Sequence, residues 1–308
     1  MPLRRPGNTG RDVPLGTASV AAMPRSRFLL PLALLLLPAA FATSPDSPPL
    51  TLRVMSFNLR YASPTPPHAW PDRRPVMRRL IEREAPDVIG TQEGLYDQVR
   101  DLAADLPAYA WIGLGREGGS RGEFMAIFYR QDRFEPVAFD HFWLSDTPET
   151  VGSATWGNRF RRMVTWVRLR ERATGRELEV WNTHFDHEIE AARQKSSALL
   201  RTRLGIVDPT RPLVLVGDFN CAAGASAAYA ELTTGAGLTD TWLAAARRTN
   251  EGLNTFHGYE PPKRDGERID WILARRPSAV TEAAIVDYAE AGQTPSDHFP
   301  VTAIVQFK

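Results

Sequence analysis

The chain has 308 residues, 43% hydrophobic and 24% charged, an ordinary globular balance that fits one large domain or two small ones. Its formal net charge is +1; without the first 42 residues, which hold five arginines and one aspartate, 32 basic and 35 acidic residues remain, a net of −3. That excludes bulk positive charge as a means of gripping nucleic acid, and a single cysteine, Cys221, excludes an intrachain disulfide.

Residues 1–42 read as a secretory signal peptide. Arg25 and Arg27 precede the apolar run Phe28–Leu37, and Ala40-Phe41-Ala42 supplies the small-residue cleavage site. Met23 is a candidate true start. The run is too short to remain as a spanning helix, and no cysteine near the cleavage site invites a lipid anchor. The expected product is exported, periplasmic or secreted, monomeric and free of a transmembrane anchor. Thr43–Pro49 reads as a linker, and residues 50–308 as the folded domain.

Leu50–Asn58 reads as a strand ending in Ser56-Phe57-Asn58, followed by a Pro-rich loop, Tyr61–Pro67. Trp70–Glu84 is a helix: Pro71 suits its first turn, and Val76, Leu80 and Ile81 share a face. Asp87–Glu93 is a buried strand ending in a carboxylate, and Leu95, Val99, Leu102 and Leu106 mark a second amphipathic helix. Short strands are expected around residues 110–114, 124–130, 137–144 and 163–169. Gly113–Gly119 reads as a mobile Gly-rich turn with Arg116 its only basic residue. Leu178–Thr183 is a strand leading into Asn182-Thr-His184-Phe-Asp186-His187, and Ile189–Ile206 is mostly helix. Leu213–Val216 is a buried strand, with Gly217 letting the chain turn. A helix around Ser226–Leu232 and an irregular stretch through Pro262 precede Arg268–Leu273. Ser296-Asp297-His298-Phe-Pro300 and the strand Val301–Phe307 close the chain. Strand–helix–strand occurs twice with polar strand ends, implying two related halves: two sheets packed face to face with helices outside.

In an extended chain, side chains two apart point the same way, so Asp218 and Asn220 present an anion and an amide together. That pair suits a hard metal ion and the phosphoryl oxygens around it; an Asx turn capping the strand is the plainer alternative. Asn58, Glu93, His184, Asp270, Asp297 and His298 also follow or adjoin apolar strands. One such residue is ordinarily a cap; a whole set suggests a site held on a rigid scaffold. Cys221 fits as a small buried residue beside the turn, and no Cys/His cluster has zinc spacing.

The stretches SFN (56–58), QEG (92–94), NTHFDH (182–187), GDFN (217–220), RIDWI (268–272) and SDHFP (296–300) occur in the order found in the endonuclease/exonuclease/phosphatase superfamily. The chain resembles that superfamily over residues 50–308. Its members include DNase I-like nucleases, apurinic endonucleases, inositol polyphosphate 5-phosphatases, neutral sphingomyelinases and deadenylases. The resemblance implies an α/β fold, a four-layer α/β/β/α sandwich of two mixed sheets with helices outside. It also implies Mg²⁺-dependent phosphoester hydrolysis, with Mn²⁺ able to substitute. By the same resemblance Glu93 is the principal metal ligand, with Asn58 beside it and Asp297 adding a carboxylate. Asp218 and Asn220 flank the phosphate and the attacking water, His298 pairs with Asp270, and His184 contacts the phosphate.

Further candidates each have a plainer reading. Asp186 and His187 extend the His184 motif toward substrate or simply face solvent. Trp156, with Phe142–Ser145, lines a pocket or belongs to the core. Arg159 and Arg161, on one side if that segment is extended, and Arg162 meet substrate phosphate or form a solvated face. His257 and Tyr259 sit in a loop within reach of substrate. The expected substrate is a phosphodiester or phosphomonoester: a small molecule, lipid headgroup or sugar phosphate. An extracellular nuclease and a catalytically silent binding module are the alternatives. The presence of Glu93, Asp218, Asp270 and His298 argues against the silent module.

Overall fold

In the strand that opens the domain, Leu50, Leu52 and Val54 are buried while Thr51 and Arg53 are half-exposed, and from Val54 onward every residue is buried. One face is covered first and then both, as expected of a strand that enters a two-sheet sandwich. The computed structural model describes residues 48–308. The expected signal segment 1–42, the candidate start Met23 and most of the expected 43–49 linker lie outside the described residues.

The chain runs β1 (Leu50–Asn58), α1 (Trp70–Glu84), β2 (Val88–Gln92), α2 (Tyr96–Asp105), β3 (Tyr109–Ile112), β4 (Ile127–Arg130), β5 (Phe134–Trp143), β6 (Met163–Glu171) and β7 (Glu177–His184). It continues through α3 (Glu190–Gly205), β8 (Leu213–Asp218), α4 (Ala227–Ala230), β9 (Leu238–Asp240), α5 (Thr241–Ala244), β10 (Ala245–Thr249), β11 (Asp270–Arg275), β12 (Ala279–Ile285) and β13 (Val301–Phe307). One sheet has the order β10-β12-β13-β1-β2-β4-β3, the other β5-β6-β7-β8-β11-β9. The two strand–helix–strand units form as expected: β1 and β2 pair parallel across α1, and β7 and β8 pair parallel across α3, one unit per sheet.

Three apolar layers hold the sandwich. Between the sheets, Leu52 and Val54 meet Leu178, Val180, Val214, Val216 and Ile272. Outside the first sheet, Met77, Leu80 and Ile81 of α1 and Val99 and Leu102 of α2 cover Met55, Phe57 and Ile89. Outside the second, Leu200 and Leu204 of α3 cover Trp181, Leu213 and Leu215. Each such side chain contributes roughly 1.5–3 kcal/mol by burial, and the outcome is the expected four-layer α/β/β/α order. Phe142 and Trp143 belong to this buried apolar set. Among the described residues no helix is long and apolar enough to cross a membrane.

Three local readings are corrected. The stretch between Leu232 and Pro262 contains β9, α5 and β10, and β12 follows later. β9 and β10 are short edge strands and β12 lies between β10 and β13; β10 reads Ala-Ala-Arg-Arg-Thr and has no apolar run to betray it. Gly217 lies inside β8, opposite Trp271, and does not make the turn. A Cβ there would meet the Thr183 carbonyl oxygen at 2.5 Å, so glycine permits the close approach of β7. The Gly113–Gly119 segment is a hydrogen-bonded turn, closed by Gly115 N–H to Gly119 O (2.9 Å) and Arg116 N–H to Glu123 O (2.9 Å).

Candidate active site

Topology brings the polar strand ends together. The parallel pair β1 and β2 ends at Asn58 and Gln92, just before Glu93; the parallel pair β7 and β8 ends at His184 and Asp218. β11 runs antiparallel to β8, so its first residue, Asp270, stands opposite Asp218. β13 runs antiparallel to β1, which returns the preceding Ser296–His298 to the same end, where Ser296 Oγ donates to Asn58 O (2.7 Å). Just beneath, Gln92 Nε2 donates to Asn182 Oδ1 (2.7 Å), and Asn182 Nδ2 donates to the carbonyls of Thr91 and Ala126. This buried network ties the two sheets under the site. The result is a cavity of about 400 Å³ whose lining includes Glu93, His184, Asp218, Asn220, Asp297 and His298.

Asp218 combines both readings of its sequence. Its Oδ1 accepts the Asn220 N–H (3.0 Å), an Asx turn, while its Oδ2 accepts from Asn58 Nδ2 (2.9 Å) and lies 3.8 Å from His298 Nε2. The turn falls at Asn220, whose φ is +50°. Glu93 is also left-handed, at φ +61°. Such conformations are uncommon outside glycine and concentrate at functional sites. Asn58 Nδ2 also donates to Glu93 Oε1 (3.0 Å), and its Oδ1 accepts the Arg60 N–H (2.9 Å). Asn58 therefore turns its amide nitrogen toward the carboxylates. Asp297 lies 3.6 Å from Arg60 Nε.

Behind this front, Asp270 Oδ2 lies 2.9 Å from His298 Nδ1. Burial disfavours the imidazolium, but contact with Asp270 and the fields of Asp218 and Asp297 outweigh it and raise His298 to about 10. Burial and then the Asp270 charge push Asp218 up to about 7, and burial also raises Asp297. His184 moves the other way: burial, with Arg162 and Arg116 nearby, holds it well below the usual range. Asn220 Nδ2 lies 3.0 Å from His184 Nε2 and also donates to Phe185 O. The 3.5 Å approach of that ring nitrogen to Asp218 is thus a contact of a neutral imidazole, not an ion pair.

The donor set fits a hard divalent cation. The ligand oxygens of Glu93 and Asp218 lie within 4.8 Å of each other, Asp297 adds a third carboxylate to the same cavity wall, and burial, the largest cause, raises both Asp218 and Asp297. Oxygen-rich, carboxylate-dominated sites are what Mg²⁺-like ions take.

Of the other candidates, Asp186, Trp156, Arg159, Arg161 and His257 lie outside this cavity's lining. Asp186 accepts the N–H groups of Glu188 and Ile189 (2.9 and 2.8 Å) and stands 3.7 Å from Arg162 Nε. Trp156 donates to Asp146, Arg161 donates to the Gly152 carbonyl, and Arg159 lies over the Phe160 ring. His257 is buried, stacked on Phe299 at 4.2 Å. Of the three arginines it is Arg162, of the opposite parity, that faces the cavity, and His187 joins it there. Sequence reasoning missed Glu123 and took Arg116 for a mobile-loop residue; the two pair across the turn at 2.6 Å and line the same cavity. It also missed Arg73, fully buried in α1, which donates to the carbonyls of Leu59, Arg60, Tyr61, His68 and Pro295 and so pins the segments flanking Asn58 and Asp297.

The sequence model of the Endonuclease/Exonuclease/phosphatase family matches residues 55–298. The structure resembles an endonuclease/exonuclease/phosphatase from Bacteroides vulgatus, 34% identical, at TM-score 0.79 over 84% of this chain and 100% of that one. A mannosyl-6-phosphatase from Bacteroides thetaiotaomicron is 33% identical at TM-score 0.77, over 83% of this chain and 100% of its own. The human Nocturnin catalytic domain with bound sulfate, 19% identical at TM-score 0.64 over 84% of this chain and 95% of that one, shares the fold.

Proposed function

Because the chain belongs to the endonuclease/exonuclease/phosphatase family and is thus a hydrolase of phosphoester bonds, we propose that it is an exported, monomeric, Mg²⁺-dependent enzyme acting on a small phosphate ester, foremost a sugar phosphate. The observation that carries this reading is the cavity itself. Its volume of about 400 Å³ lies at the small-molecule end of ligand sites, and it is walled by the carboxylates and histidines of one chain. The mannosyl-6-phosphatase, matched over its whole length, supports a sugar phosphate, and the net charge of −3 without residues 1–42 speaks against a polyanion.

Glu93, with Asp297 beside it, would hold the cation, which when bound neutralises charge growing on the phosphoryl oxygens. The remaining work belongs to side chains. Asn58 donates to both Glu93 and Asp218 and fixes their relative placement. His298, charged through Asp270, has no lone pair to accept a proton; it offers an N–H to the phosphoryl oxygens. That leaves Asp218 Oδ2 to take the proton from a water attacking in line with the leaving oxygen. Asn220 and His184 form the adjoining wall against the phosphate.

The test is a panel of esters with Mg²⁺, with Mn²⁺ and with EDTA: mannose 6-phosphate, glucose 6-phosphate, an inositol phosphate, sphingomyelin, bis-p-nitrophenyl phosphate and duplex DNA. The reading expects metal-dependent turnover fastest on a sugar phosphate. DNA cleavage faster than that of any small ester, with steep salt dependence, would establish the nuclease alternative instead.

A further inference from the structure

Arg162 is 3% exposed, lines the cavity, and has two nitrogens, Nε and Nη1, without a hydrogen-bond partner. Its Nη2 donates to His187 Nδ1 (2.8 Å). Asp186 Oδ2 stands 3.7 Å from Nε, close enough for charge but not for a hydrogen bond, and that oxygen too lacks a partner. A second arginine, Arg116, lines the same cavity at 7% exposure and bonds only Glu123 through Nη1. Two guanidinium groups thus face one space; burial and the Arg116 charge both work against the charge on Arg162. Glu123 compensates weakly, because burial pushes its carboxyl up to about 7 against the opposing pull of Arg116.

A buried guanidinium with unpaired N–H groups is costly unless an anion completes it, and its planar fork matches two oxygens of a phosphate. Position says which phosphate. Arg162 directly precedes β6, which lies beside β7, which carries His184, and β7 lies beside β8, which carries Asp218. Neighbouring strands lie about 4.8 Å apart, so Arg162 stands one strand beyond His184, within side-chain reach of a phosphate held against His184 and Asn220. A terminal phosphate offers three non-bridging oxygens and a second negative charge. A diester offers two such oxygens and one charge, and puts a substituent where the third oxygen would be.

We propose that Arg162, backed by Arg116 and oriented by Asp186, grips the outer oxygens of a terminal phosphate and makes this site selective for phosphomonoesters over phosphodiesters. The inference rests on the phosphoesterase reading above and adds the substrate class to it. Asp186 is then a positioning residue: its Oδ1 fixes the 186–189 turn and its Oδ2 holds the guanidinium by charge.

The experiment compares wild type with Arg162→Met, which keeps the length and loses the charge, and Arg162→Lys, which keeps the charge and loses the fork. Each is assayed on mannose 6-phosphate and on bis-p-nitrophenyl phosphate, with inhibition by inorganic phosphate as a second readout. The expected result for Arg162→Met is a loss of roughly 30-fold or more in kcat/KM on the monoester, under about 5-fold on the diester, and a parallel weakening of phosphate inhibition. Lysine should restore part of each; if the methionine variant does not fold, the lysine variant alone should still show the larger loss on the monoester. Equal losses on the two esters, or unchanged phosphate inhibition, would overturn the proposal. If wild type turns over neither ester with any divalent cation, the phosphoesterase reading fails separately. The subsite is then tested by the melting-temperature shift that inorganic phosphate induces in wild type: loss of that shift in Arg162→Met sustains the subsite, and equal shifts overturn it.

Discussion

Asp270 and His298 meet at 2.9 Å with both side chains buried, and neither has another hydrogen-bonding side chain as close. A pair so isolated acts as one group. Asp270→Asn and His298→Asn should each lower kcat by roughly 10²–10⁴-fold, while the Mg²⁺ concentration needed for half-maximal rate changes little. The double variant should be far less damaged than the product of the singles; multiplicative losses in steady-state kinetics would show that the two do not work together. This pair was legible because each member stands at the entry to an apolar strand and carries a motif. Arg73 was not legible. It stands in a helix with Arg74, Arg78, Arg79 and Arg83, and only the burial of one helix face under Leu59–Tyr61 and Pro295 tells it from them. Arg162 was hidden differently: alternation groups Arg159 with Arg161, but sequence does not say which parity faces inward.

At the scale of elements, the strand–helix–strand units were readable because β8 opens with the apolar run Leu213–Val216 while β1 and β7 open by alternating apolar with polar residues. β9 and β10 were hidden because edge pairing needs no apolar run, and β12, between β10 and β13, because Thr281 and Glu282 interrupt its apolar residues. Gly90 leaves no room for a side chain between the sheets: a Cβ there would lie 2.2 Å from Val216 Cγ2 and 2.9 Å from Asn182 Oδ1. Gly90→Ala should therefore destabilise the domain by about 1–3 kcal/mol through overpacking. Val216→Ala in the same chain should relieve part of that cost, so the double variant unfolds in denaturant at a higher concentration than additivity of the singles gives; strict additivity would place the strain elsewhere. The loop carrying His257 gives a second prediction. Burial depresses this histidine to about 4, against about 6.5 in an unfolded chain. Between those values the unfolded state binds a proton that the native state does not, so stability is full above pH 6.5 and falls as pH drops toward 4. The loss amounts to at most about 3 kcal/mol, and His257→Phe should flatten this slope in pH-dependent unfolding; an unchanged slope would assign it to other groups.

Across the whole molecule, two parallel units and their antiparallel partners gather eight polar residues of six motif stretches at one end, although the chain separates Asn58 from His298 by 240 residues. Long-range order of that kind is visible in sequence only as a set of short motifs in a fixed order, which is why the fold and reaction class could be read and the Arg116–Glu123–Arg162 wall could not. The proposed export belongs to this scale as well, since a signal peptide at residues 1–42 would decide where the enzyme works. Protein recovered from the native host should begin at Thr43 on N-terminal sequencing, and a chain retaining Phe28–Leu37 would contradict export. The central claim is that a divalent cation held around Glu93 enables this end of the sandwich to hydrolyse a phosphate ester. The direct measurement is phosphate release from mannose 6-phosphate by wild type and Glu93→Gln, each with Mg²⁺ and with EDTA. Release is expected from wild type only with metal, with a loss of roughly 10²-fold or more in Glu93→Gln at equal Mg²⁺ and the melting temperature preserved; full activity in EDTA, or wild-type turnover by Glu93→Gln, would rule out the metal's role.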